Sequence, residues 1–244
     1  MKTSTLISSV AIALSVSSVA TADLASFGTL SYGSTPIAFN TGNGIGNNDF
    51  WYGNTVVGGK ALTLGMKSIS YFGQNPNTEY KGDGTWEAQA GTNVGPSGSA
   101  NAPTWNFIWS VTMDGMQPSA TDNLYWSMRI TGPNGGNWGT TAFGMAALSG
   151  DFAGTQVPGS NPVYQNAWVG SFDFLQLPSQ QGGWNGLAFD PMANGNYKFE
   201  LSVFQGQAST SPLSTLTMNV NVVPAPGCIA LVCLAGLASR RRRA

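Results

Sequence analysis

Trp105-Asn106-Phe107-Ile108-Trp109-Ser110-Val111-Thr112-Met113 places a large apolar side chain at every odd position, with Asn106, Ser110, Thr112 and then Asp114 in between. Successive side chains of a strand point to opposite faces, so this spacing predicts a central strand that turns Trp105, Phe107, Trp109, Val111 and Met113 toward one core. The pattern returns at Leu124, Trp126, Met128 and Ile130, set against Tyr125, Ser127 and Arg129. The ten residues between the two runs contain Gly115 and Pro118, which predicts a pair of neighbouring antiparallel strands.

Downstream, Tyr197, Phe199, Leu201 and Val203 alternate with Lys198, Glu200 and Ser202, and after Gly206 to Pro212 the period resumes at Leu216, Met218, Val220 and Val222. This predicts a hairpin. Ala167 to Leu175 reads as another strand, and Ala142 to Leu148 is ambiguous between strand and helix because Gly144 interrupts it. Upstream, Leu62, Leu64 and Met66 share one parity while Ile69 and Tyr71 share the other, which predicts a strand with a bulge near Lys67-Ser68. Shorter strands are expected at Phe27 to Tyr32, Thr35 to Phe39 and Gly84 to Ala90. Phe50, Trp51 and Tyr52 follow an Asn/Gly-rich loop, Asn40 to Asp49. The expected fold is all-β, an antiparallel β-sandwich of immunoglobulin-like or jelly-roll-like type. Tyr197, two places before Phe199 and after an Asn-Gly turn, resembles the tyrosine corner of immunoglobulin-like sandwiches, whose hydroxyl ties back to an upstream loop.

The two ends read as transport signals. Lys2 precedes an apolar, serine-rich run from Leu6 to Val19 closed by Ala20-Thr21-Ala22, the layout of a secretory signal peptide with Ala20 and Ala22 at the signal peptidase site. At the other end Pro224-Ala225-Pro226 leads into an apolar run, Cys228 to Ala238, and then Arg240, Arg241, Arg242 and Arg243. Arginines after an apolar segment are held on the cytoplasmic side of the membrane. Eleven helical residues reach only about 16 Å, against a hydrocarbon core of about 30 Å. The organisation expected is a signal peptide over 1–22, one passenger domain over 23–223, and a tail over 224–244 with a short hydrophobic sorting helix.

That order of parts resembles the PEP-CTERM sorting signal of bacterial surface proteins, with Pro224-Ala225-Pro226 at the Pro-Glu-Pro site and alanine in place of the central glutamate. The resemblance covers about a tenth of the chain. It implies transient anchoring in the inner membrane, then recognition and removal of the tail by an exosortase, a membrane-embedded processing enzyme. The middle and C-terminal segments also resemble uncharacterised passenger domains that precede such tails.

Composition bounds what the passenger does. Residues 23–223 carry five basic residues against eleven acidic ones, a net charge of −6 that repels nucleic acid. Both cysteines, Cys228 and Cys233, lie in the tail, so stability there comes from packing rather than disulfides. The chain contains no histidine, which excludes Ser-His-Asp and Cys-His nucleophile systems, histidine-ligated zinc or copper, and HExxH metalloprotease chemistry.

No catalytic motif, metal-ligand spacing or cofactor fingerprint is present. Glu79, Glu87 and Glu200 are the available glutamates for a glycosidase-type carboxylate pair, and no motif marks any two as partners. Asn47, Asn48 and Asp49, or Asp151 near Gly150 and Gly154, offer oxygen ligands for calcium without matching an ordered repeat. Trp51, Tyr52, Trp138 and Trp184 sit beside Asn/Gly-rich segments, where flat aromatic faces and amide side chains suit sugar rings; capping the ends of the core is the other reading of these tryptophans. The expectation is an exported, non-enzymatic cell-surface or extracellular-matrix protein. A carbohydrate-binding module for extracellular polysaccharide is the alternative, and a carboxylate-dependent hydrolase comes third.

Overall fold

The computed structural model describes residues 25–32, 35–36, 48–71, 78–93, 102–115, 118–140, 143–144, 164–178 and 184–225. Ala20, Ala22, Pro226, Asp151 and the four tail arginines lie outside these residues, as do the expected signal peptide and sorting helix.

The described chain is mostly β-strand. In order it runs β1 (Ser26–Gly28), β2 (Ser31–Tyr32), β3 (Thr35–Pro36), β4 (Phe50–Val57), β5 (Lys60–Ser70), β6 (Thr78–Gly82), β7 (Thr85–Gln89), β8 (Thr92–Asn93) and β9 (Ala102–Pro103). It continues through β10 (Trp105–Met113), β11 (Leu124–Thr131), β12 (Asn137–Gly139), β13 (Phe143–Gly144), β14 (Tyr164–Trp168), the single helical turn α1 (Asp173–Gln176), β15 (Gly195–Gln205) and β16 (Ser214–Val223). Two sheets dominate. One has the order β1-β4-β5-β10-β14; the other has the order β12-β11-β15-β16-β7-β6, with β13 also on β11. The first is antiparallel throughout, whereas the second is mixed because β7 runs parallel to β16.

The odd side chains of β10 enter the main core as expected, and Trp109 and Val111 are fully buried. The β15–β16 hairpin forms where the period-two pattern predicts it, in an unbroken register from Gly195↔Val222 to Val203↔Ser214. Leu62, Leu64 and Met66 from the first sheet share that core with Trp86, Trp126, Met128, Phe199, Leu201 and Met218 from the second. Aromatic pairs join the sheets near both edges: Phe27 of β1 stacks on Tyr80 of β6 at 3.7 Å, and Trp138 of β12 meets Trp168 of β14 edge-on at 5.8 Å.

Four expectations are corrected. β10 and β11 are not neighbours: β10 pairs with β5 and β14, and β11 pairs with β12, β13 and β15. Both strands alternate because both face the same core, and alternation reports the face a strand buries rather than the strand beside it. β5 carries no bulge, since it pairs with β10 without a shift from Trp105↔Ser70 to Met113↔Leu62. Its change of parity arises because Ile69 packs on the opposite side of the sheet, against a second cluster formed by Leu30, Phe50 and Ile108. The expected strand Ala167 to Leu175 stops at Trp168; a turn closed by Phe172 N–H on the Val169 carbonyl leads into α1, which buries Leu175 completely. The expected strand Phe27 to Tyr32 divides, because Ser26–Gly28 joins β4 while Ser31–Tyr32 turns back on Thr35–Pro36.

Tyr197 points into the core against Trp105, 5.3 Å between ring centres. Its hydroxyl is buried against the backbone of Asp190 in the loop upstream without a hydrogen bond of good geometry, so the tie expected of a tyrosine corner is approached but not closed. Burial pushes this phenol up to about 12, while the neighbouring Asp190 backbone acts in the opposite sense.

Candidate functional site

The four aromatics with a candidate role in recognition do not share a surface. Trp51 and Tyr52 are on β4, not in a loop, and as consecutive strand residues they face opposite ways. Trp51 packs on the main core and Tyr52 on the second cluster. Trp51 lies flat on Gly84: a Cβ there would come within 2.6 Å of its Nε1 and 2.9 Å of both Cδ1 and Cε2. Asp83 and Gly84, at φ 47° and 69°, form the two-residue turn joining β6 to β7, and two positive φ values in succession select Asp-Gly. Trp51 therefore closes the core over a turn of the opposite sheet. Trp138 is core as well, 4% exposed, with its Nε1 donating to the Phe174 carbonyl at 2.9 Å.

Of the three tryptophans, Trp184 alone is on an outer face. It is half-buried over the side of the β12–β11 edge that faces away from the core. One face of its indole rests on Gly139, where a Cβ would come within 2.6 Å of Cε2 and 2.9 Å of Cζ2 and Nε1. Those distances place the glycine above the ring rather than at its rim, so a side chain at 139 would lift the indole away. Arg129, opposite Gly139 in the β11–β12 register, extends its guanidinium over the same ring, 4.9 Å from the centre.

The segment that carries Trp184 is tied down next door. The Asn137 backbone N–H donates to Asn185 Oδ1 and the Asn185 backbone N–H donates to Asn137 Oδ1, both at 3.0 Å, beside a bridge between Asn137 and Gly186. An amide oxygen must accept each of these N–H groups, which leaves both side-chain NH2 groups without a bond among the described residues.

No family model, curated protein or solved structure matches the chain.

Any functional reading therefore rests on the chemistry of its residues. Arg129 is exposed and makes no ion pair with a described residue. Glu200 lies opposite it in β15 but is engaged by Lys198 at 2.9 Å. Sequence reading missed Arg129, although one signal was available: it is the only arginine outside the tail.

Asn47, like Asp151, lies outside the described residues, and the remaining candidates are accounted for locally. Glu79 and Glu87 face each other across the β6–β7 pair, with Lys81 Nζ at 2.7 Å from Glu79 and 3.8 Å from Glu87. The Asn48 carbonyl accepts from Lys67 Nζ at 2.9 Å, and the Asn48 side-chain amide donates to Asp49 at 2.8 Å, so these two oxygens serve internal donors. Among the described residues, no three His, Cys, Asp or Glu side chains converge on a point. Pro224, the first residue of the expected sorting motif, is exposed immediately after β16, and Ala225 beside it is half-buried.

Proposed function

We propose that the chain is an exported, non-enzymatic surface or matrix protein whose β-rich passenger is an elaborated β-sandwich and whose tail is removed by an exosortase-type membrane enzyme. The observation that carries this reading is the ordered tail, Pro224-Ala225-Pro226, then Cys228 to Ala238, then Arg240 to Arg243, set at the other end of the chain from a signal-peptide pattern. The end of β16 supports it: the last strand stops at Val223 and the motif begins on an exposed residue, where a processing enzyme reaches it without unfolding the sheet. Two sheets contributing one face each to a shared core support the sandwich. Signal peptidase, the processing enzyme and transiently the inner membrane are the implied partners, with no cofactor required. Replacing Arg240 to Arg243 by alanine and following the protein by cell fractionation tests the proposal. The arginine-free tail should leave unprocessed precursor, whereas unchanged maturation would remove the arginines from the signal.

A second reading, recognition of extracellular polysaccharide, is favoured by one observation. Trp184 stands on an outer sheet face framed by Arg129, Asn137 and Asn185, while Trp51 and Trp138 serve the core. Loss of retention on a polysaccharide panel in Trp184→Ala, with the fold kept, is its test.

A further inference from the structure

We propose that the outer face of the second sheet, at its β12 edge, holds a site for a carboxylate-bearing sugar, with Arg129 as the anion contact and Trp184, Asn137 and Asn185 as its frame. The inference rests on the polysaccharide-recognition reading and narrows it to acidic saccharides.

A guanidinium over an indole uses its flat face, and its N–H groups radiate in the plane at right angles to that contact. The contact holds Arg129 over the indole, no ion pair among the described residues occupies its donors, and the guanidinium fork matches the two oxygens of a carboxylate. The indole is itself fixed, because it lies on Gly139 and its neighbour Asn185 is doubly bonded to Asn137. A long, flexible side chain is therefore laid against a rigid plate, which lowers the entropy lost when it binds.

No acidic side chain among the described residues pairs with Arg129. Glu200, the nearest acid in register, is held by Lys198, on a passenger where acidic residues outnumber basic ones eleven to five. The two asparagines extend the asymmetry. Each spends its acceptor oxygen on a backbone N–H and keeps its NH2 group, which makes no bond among the described residues. The unengaged side-chain donors around Trp184, the Arg129 guanidinium and the two amide NH2 groups, suit a ligand rich in acceptors: a carboxylate accompanied by hydroxyl and ring oxygens. One arginine and two neutral amides suit a polymer with spaced carboxylates better than a polyphosphate, whose dense charge the −6 passenger repels. At physiological salt, charges more than about 8 Å away are largely screened, so the remaining acidic surface does not cancel Arg129 locally.

Affinity electrophoresis of the full chain through gels containing polygalacturonate, dextran or dextran sulfate, at about 0.15 M salt to limit long-range attraction, tests the site. Polygalacturonate should retard the wild type and dextran should not. Arg129→Gln should weaken the apparent affinity tenfold or more, and Arg129→Lys should weaken it too, since an ammonium keeps the charge but not the fork. Lys81→Gln, which removes a charge at the opposite edge of the same sheet, should change nothing. Unaltered retention in Arg129→Gln, an equal loss in Lys81→Gln, or strong retardation by dextran sulfate that Arg129→Lys leaves intact would overturn the proposal in favour of diffuse charge attraction. Retention on dextran that depends on Trp184 but not on Arg129 would overturn the acidic preference and keep sugar recognition. No retention on any gel would remove both. Thermal melts accompany each variant, and Arg129→Lys carries the test if Arg129→Gln fails to fold.

Discussion

The indole rings of Trp109 and Trp126 stack across the core, 4.7 Å between centres and 29° between planes, one from each sheet and both without exposed surface. Trp168 joins them at 5.5 Å from Trp109 and 6.4 Å from Trp126, so three indoles fill the space between β10, β11 and β14. With no cysteine in residues 23–223, this aromatic packing occupies the place that an inter-sheet disulfide takes in other two-sheet folds.

Trp109→Ala should leave a large cavity at the centre of the molecule and cost about 3 to 5 kcal/mol, a large fraction of an ordinary domain's stability. Combining it with Trp126→Ala should cost less than the sum of the single changes, because each removes part of the other's contact. Denaturant melts of the two single variants and the double variant check this; full additivity would mean that the rings do not support each other.

Trp138 and Trp184 differ in consequence, though both sit beside asparagine and glycine in the sequence. Trp138→Ala should cost about 3 kcal/mol or more as a core deletion, and it also leaves the Phe174 carbonyl without its donor. Trp184→Ala should cost no more than about 1 kcal/mol, as expected for a residue outside the core. Similar melting temperatures for the two variants would contradict the placement of Trp184 on an outer face.

Lys67 gives a pH dependence of definite sign. It is 4% exposed, its ammonium lies 4.6 Å from the Phe50 ring centre, and burial holds it down to about 8 despite the charge of Asp49 nearby. Above the ordinary lysine range both folded and unfolded states are neutral. As the pH falls from about 10.5 to about 8, the unfolded chain takes up a proton that the folded chain resists, so stability declines across that window. Relative to wild type, Lys67→Met should therefore do better at pH 7 than at pH 11, by a difference on the order of 1 to 3 kcal/mol. Urea melts at the two values measure it, and a difference of opposite sign would contradict the buried state of this lysine.

Much of the fold was legible because alternation is strong where one side of a strand is buried: β10, β11, β15 and β16 begin and end within two residues or so of the pattern. Strand partners were not legible. Trp109 and Trp126 alternate in the same way whether they sit side by side in one sheet or face each other across a core, and only the three-dimensional pairing separates the two cases. Ile69 misled for a related reason, since a sheet with a second small cluster on its far side buries residues of both parities. The candidate site was half visible. Trp184 stood out by its glycine and asparagine neighbours, but Arg129 read as an ordinary polar-face residue, and its meaning comes from Gly139 on the next strand, which a linear pattern does not bring near it.

The central claim, export followed by removal of the tail, is tested most directly by the intact mass of the protein recovered from the cell surface. The account predicts a chain that begins near Asp23 and lacks Cys228 to Ala244. A recovered species that still carries Arg240 to Arg243 and ends at Ala244 would contradict it.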